Sequence, residues 1–201
     1  VLVRRGHAWW AVVPLALACA SKQHLALLAP VLLVWRPFGA ARTLASGGLA
    51  GLLVLPWFLA DPGAFVGDTV TTLLEFHPIR FANTWFLYFL NEWGVTLPFA
   101  VTAGAMVLAV AGATWAVWRR QPPLAEVLRW LALVLAVANL VNKQAFYNQF
   151  WLVGALVAAS VALPTPRRRG EPVEPGGPAG GGLPSGPRAL RRRGHASAPA
   201  S

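Results

Sequence analysis

Residues 43–60, TLASGGLAGLLVLPWFLA, run for 18 residues without a charge, and similar apolar stretches cover 95–118 and 124–141. In hydrocarbon no water is available to satisfy backbone N–H and C=O groups, so an apolar run long enough to cross a core of about 30 Å has to be an α-helix. The sequence therefore predicts an all-α fold, a polytopic transmembrane helical bundle. With 56% hydrophobic and 12% charged residues, the composition agrees.

The net charge of +10 does not point to nucleic acid, because the arginines do not form a basic face. Arg4 and Arg5, Arg36, Arg42, Arg119 and Arg120, and Arg167 to Arg169 stand at the ends of apolar runs. That is the pattern of cytoplasmic loops under the positive-inside rule, so a multi-pass cell-membrane protein with a cytoplasmic C-terminus is expected. Cys19 is the one cysteine. It excludes a disulfide framework or a cysteine metal site and reads as a small apolar residue. The first apolar run contains Lys22 and His24 and is not a cleavable signal peptide. The chain begins at Val1 without a methionine, and further sequence upstream is expected.

The run 8–35 is broken by Ser21-Lys22-Gln23-His24. Each half has about 12 residues, near 18 Å of helix, too short to cross alone. Two geometries follow: one broken helix crossing once, or a re-entrant hairpin with its tip at Ser21 to His24. The hairpin keeps Arg4, Arg5, Arg36 and Arg42 on one side and is preferred. The span 43–60 carries Gly47, Gly48 and Gly51 at a spacing suited to close helix packing. Beyond Asp61, the residues Phe65, Val66, Thr69, Val70, Leu73, Leu74 and Phe76 recur at helical spacing, as in an amphipathic helix on the outer surface. WFLYFLNEWG is a short interfacial segment. Spans at 95–118 and 124–141 and a last one at about Ala145 to Leu163 complete a transmembrane domain of 1–163. Residues 164–201, rich in Gly, Pro and Arg, are expected to be a disordered tail.

This layout sends most polar residues to the end opposite the arginines. Lys22 and Lys143, the two lysines of the chain, each precede a glutamine between apolar runs, in SKQH and in NKQAFYNQ. With Arg80 they are cations on the side that disfavours them, which a bound anion would explain. A phosphate suits them: lysine offers a compact charge with three donors, and the neighbouring amides add directional bonds. A new helix starting after Lys22 would turn its N-terminal amides to the same anion. Lys22, Gln23, Arg80, Lys143 and Gln144 are thus candidate lipid-phosphate ligands, and His24, His77 and Asn148 candidate sugar or acceptor contacts. The competing reading pairs Lys22 with Asp68 or Glu75 and lets Lys143 snorkel to the interface. The histidines have no metal-ligand spacing, and neither a phosphate-binding glycine loop nor a nucleophile elbow is present.

The segments SKQHLALLAPVLLVWRPFG, DPGAFVGDTV with the later HPIR, and NKQAFYNQFWLV resemble the C-terminal half of GT-C class membrane glycosyltransferases that use polyprenyl-phosphate sugars, as in mannosyltransferase-like proteins. The resemblance covers about residues 8–163. It implies transfer of a sugar from a polyprenyl-phosphate-linked donor on the extracytoplasmic face, with the lipid bilayer and an N-terminal half of the same protein as partners. In that class an acidic residue in the first outer loop acts as base and helps hold a divalent metal. That position has no counterpart here, so no catalytic residue and no cofactor are assigned within this chain, and a divalent cation would belong to the complete enzyme. Two other classes fit the sequence: a transporter or channel component whose half-helices line a path, and a non-catalytic membrane scaffold.

Overall fold

The computed structural model describes residues 2–75, 82–143, 145 and 147–163, and all regular structure among them is helical. A 3₁₀ turn, Ala8–Ala11, leads into α1, Val12–Ser21. Lys22 breaks the helix with an extended backbone at φ −142°, ψ 91°. The chain resumes as a 3₁₀ helix, Gln23–Leu28, which passes into α2, Ala29–Val34. The spans are α3, Gly39–Ala60, α7, Phe99–Arg120, and α8, Leu124–Val141. Between α3 and α7 lie α4, Pro62–Val66, a π-helical turn, Gly67–Thr71, then α5, Thr72–Glu75, and α6, Trp85–Trp93. The last helix is α9, Tyr147–Ala162.

Three helices, α3, α7 and α8, are long and apolar enough to cross a membrane, with mean hydropathy of 1.7 to 1.9. The expected fourth span is shorter than the sequence suggests. Its helix starts at Tyr147 and has 16 residues, about 24 Å against a core of about 30 Å.

Residues 8–34 form a hairpin, neither leg of which is long enough to count among the spanning helices. Trp9 lies beside the start of α3, with the Arg42 guanidinium 5.3 Å from its ring centroid. The second leg ends beside the α7–α8 turn: the Trp35 indole N–H donates to the Pro122 carbonyl at 3.0 Å, and the Arg36 N–H donates to Gln121 Oε1 at 2.9 Å. Both legs therefore end at one pole with Arg36, Arg42, Arg119 and Arg120, here called the base. At the tip, Gln23 Nε2 donates to the Thr69 carbonyl at 3.2 Å, beyond the far end of α3. Both legs pack on α3, α2 also packs on α7, and α8 joins α7 to α9.

The buried core sits where α2 meets α7 and α8. Trp35, Phe38, Leu28 and Val31 interlock there with Val117, Val127, Leu131 and Leu135. Lipid is as apolar as these side chains, so their contribution comes from close packing rather than from escape from water. Leu44, Leu108, Trp115 and Val161 point outward.

The glycines of α3 depart from expectation. Beyond the helix's own backbone, a methyl group added at Gly47, Gly48 or Gly51 would meet no atom within 4 Å, so no neighbouring helix presses on them. The surface helix after Asp61 does form, capped by the Asp61 carboxylate, which accepts from the Ala64 N–H at 2.9 Å. It is anchored by the Phe65 ring edge-on to Phe58, with centroids 5.7 Å apart. The aromatic segment is a helix between the Thr84 hydroxyl, which accepts from the Leu87 N–H, and Gly94 in the left-handed conformation. The tail expected at 164–201 lies outside the described residues, as do His77, Arg80 and Gln144.

The base is held by Gln121, which ends α7 with a left-handed backbone at φ 45°. Its amide nitrogen donates to the Val34 carbonyl at 2.9 Å and to Val117 and Trp118 at 3.2 and 3.1 Å. Gln121→Ala removes these bonds and keeps a β-carbon in a left-handed backbone. It is expected to destabilise the fold by about 1–3 kcal/mol. Reversible unfolding in detergent checks this, and an unchanged midpoint would contradict the clamp.

Candidate functional site

The hairpin tip becomes a site because a chain that turns back inside apolar surroundings needs a polar turning point. α1 ends at Ser21, whose hydroxyl donates to the Leu17 carbonyl at 2.7 Å, satisfying one of the orphan acceptors at a helix end. Lys22 leaves the helix with its own N–H still donating to Ala18 at 2.9 Å, and its carbonyl accepts from Leu25 at 3.0 Å. The turn is thus satisfied within the backbone, and the side chains at 22–24 line a cavity, Gln23 with one amide N–H given to the Thr69 carbonyl. The new helix begins as six residues of 3₁₀. An anion here would be held by side chains rather than by a long helix dipole.

That cavity, about 460 Å³, is lined by Ala20, Ser21, Lys22, Gln23 and His24, by Asp68 and Thr69 of the π-helical turn, and by Asn148 and Gln149 of α9. Four of the sequence candidates, Lys22, Gln23, His24 and Asn148, therefore meet in one place although they come from opposite ends of the chain. Lys143 does not line it. That lysine is exposed in the turn between α8 and α9, a turn tied down by the Asn83 N–H donating to the Ala145 carbonyl at 3.3 Å. The expected lipid-phosphate set is thus divided: Lys22 and Gln23 are in the pocket, Lys143 is beside its α9 wall in sequence, and Arg80 and Gln144 are not among the described residues.

Sequence reasoning did not assign Asp68, Thr69 or Gln149 to the site. Gln149 could have been found from its place in NKQAFYNQ, one residue past Asn148. Asp68 enters from the sequence only as a salt-bridge partner for Lys22, and Thr69 has no place at the tip; the 3.2 Å bond from Gln23 to the Thr69 carbonyl marks where their turn meets it. Asp68 stands across from Lys22, yet among the described residues the Lys22 ammonium makes no ion pair. This weighs against the reading in which Lys22 only ties the surface helix down.

The lining brings together one ammonium, one carboxylate, one imidazole and three side-chain amides. Lys22 can attract an anion, the amides and Asp68 can bond to hydroxyls, and His24 can donate or accept at either ring nitrogen. Among the described residues no three His, Cys, Asp or Glu side chains are placed to hold a metal ion. Trp85, Trp93 and Trp151 are exposed and do not line this cavity.

The fold and the pocket define a polytopic helical bundle with a polar cavity at the pole away from its arginines. Comparison with protein-family models, with curated proteins and with solved structures gives no match.

The pocket geometry predicts a specific proximity. In a Cys19→Ala background, a short bis-maleimide is expected to join Ser21→Cys to Gln149→Cys, and not to join Ser21→Cys to Val157→Cys, two turns further along α9. Electrophoretic mobility reads the difference, and equal crosslinking of both pairs would show that the tip does not seat against the start of α9.

Proposed function

We propose that this chain is a membrane glycosyltransferase of the GT-C kind, or a segment of one, and that its tip pocket holds the phosphate of a polyprenyl-phosphate-linked sugar. The observation that carries the reading is the convergence of Lys22, Gln23 and His24 with Asn148 and Gln149 in one cavity at the pole opposite the arginines. Under the positive-inside rule that pole is extracytoplasmic, the face on which a lipid-linked sugar is used.

The chemistry divides among the lining residues. The Lys22 ammonium neutralises phosphate charge at a site where lipid lowers the effective dielectric and so strengthens the attraction. Gln23 is held in place by its bond to the Thr69 carbonyl and keeps its amide oxygen for a hydroxyl donor. His24, Asn148 and Gln149 offer the mixed donors and acceptors that a sugar ring requires. Asp68 is near enough to bond to a sugar hydroxyl, and no role as catalytic base is assigned to it. Lys143 leads into α9 and would meet the donor from the side of that helix. A transporter with two tips entering from opposite faces is less well supported, since the SKQH tip and the start of α9 line the same cavity.

The test is sugar transfer from a polyprenyl-phosphate donor by the complete protein. Lys22→Ala is expected to raise KM for the donor about tenfold to a hundredfold, the loss of one charge-assisted contact, while Lys22→Arg retains part of the affinity. Asn148→Ala is expected to have a smaller effect of the same sign. Unchanged transfer in Lys22→Ala would remove the lysine from donor binding.

A further inference from the structure

A second cavity, about 340 Å³, lies directly under the polar pocket and shares two of its walls, Ala20 and Gln23. It extends from Cys19 and Gln23 towards the base, between Leu15 of the first leg, Ala29 and Leu32 of the second, and the α3 face from Val54 to Thr43. The hairpin legs straddle this space because both pack on α3.

The cavity is apolar for a structural reason. The two hydroxyls in its lining are spent within α3, the Thr43 hydroxyl donating to the Gly39 carbonyl at 2.9 Å and the Ser46 hydroxyl to the Arg42 carbonyl at 2.8 Å, while Gln23, at the junction with the polar pocket, uses one of its two amide N–H groups on the Thr69 carbonyl at 3.2 Å. Past Gln23 and Cys19 an occupant therefore meets an almost wholly hydrocarbon lining. Along α3 the wall includes Gly47 and Gly51, both exposed, and a side chain at either would enter open space. The glycines keep the mouth of the cavity open towards the bilayer. No helix has used them for close packing.

We infer that this cavity holds the first segment of a single isoprenoid chain whose phosphate occupies the tip pocket. The inference rests on the proposed lipid-phosphate reading and adds to it the chain's course and its length. An anionic head beside Lys22 and an apolar chain continuing past Gln23 and Cys19 match the order of the two cavities. A chain carbon occupies about the volume of a water molecule, roughly 30 Å³, so the cavity accommodates on the order of ten carbons. That is room for two to three isoprene units, and too little for the two chains of a diacyl phospholipid. The rest of a long polyprenyl chain leaves through the glycine mouth into the membrane.

The test uses the full chain in nanodiscs and two probes, farnesyl phosphate and ethyl phosphate, the second carrying the head without the chain. Gly47→Leu and Gly51→Leu place a side chain at the mouth, where a β-carbon meets no neighbouring side chain or helix within 4 Å. They are expected to weaken farnesyl phosphate binding about tenfold, the worth of one or two buried methylenes lost to the chain, and to leave ethyl phosphate binding unchanged. A photoreactive farnesyl phosphate is expected to label the segments around Cys19 and Val54 in the parent chain and to lose that label in both variants. If farnesyl phosphate binding and labelling persist in both leucine variants while Lys22→Ala still weakens ethyl phosphate, the chain lies elsewhere and the inference is overturned with the phosphate reading intact. If Lys22→Ala leaves ethyl phosphate binding unchanged, the phosphate reading fails and the chain assignment falls with it.

Discussion

Neither half of residues 8–34 is long enough to cross a bilayer, and from that shortfall most of the structure follows. A helix of 10 residues in α1, preceded by one 3₁₀ turn of 4 residues, reaches about 23 Å at most. The chain must then turn, and a turn inside apolar surroundings has to satisfy its own backbone. Lys22 does so through one bond backward to Ala18 and one forward to Leu25. What is left at the tip is a cluster of polar side chains, of which Ser21 and Gln23 each make one bond to a backbone carbonyl, and those side chains line the cavity.

The opposite pole makes the turn possible. Gln121 and Trp35 bind the end of the second leg to the α7–α8 turn through amide, indole and carbonyl groups. Arg42 sits over Trp9 at the end of the first leg. With both legs held at the base and packed on α3, the hairpin is fixed at its ends, and a space stays open between its legs and α3. A polar tip, an apolar hollow and a rigid base are thus consequences of one short helix pair held at its ends.

Much of this was legible in the residues. The apolar runs placed α3, α7 and α8 to within a few residues, and Leu124–Val141 without any shift, because length and hydropathy in lipid leave a chain few alternatives. The hairpin was legible through the arginines, which mark the base. Lys22, Gln23, His24 and Asn148 could be singled out because polar residues between apolar runs stand out. The places where sequence reasoning fell short are tertiary. Asp68 could be proposed from its charge as a partner for Lys22, but nothing in GDTV says that Thr69 reaches the tip, where its carbonyl accepts from Gln23. Gly47 and Gly51 have the spacing of a helix-packing motif, and that spacing is indifferent to whether a helix or a cavity lies opposite. The last span was drawn too long because Ala145 and Phe146 continue the apolar pattern, whereas the helix begins at Tyr147.

Sidedness decides whether the tip pocket and the arginine base are two poles of one molecule. In a Cys19→Ala background, single cysteines at Ser21, Asn148 and Arg120, all exposed, can be treated with a membrane-impermeant maleimide from each face of sealed vesicles. Labelling of Ser21→Cys and Asn148→Cys from the same face, with Arg120→Cys labelled from the other, is the predicted result. Labelling of Ser21→Cys from the face that labels Arg120→Cys, or of Ser21→Cys and Asn148→Cys from opposite faces, would contradict the account.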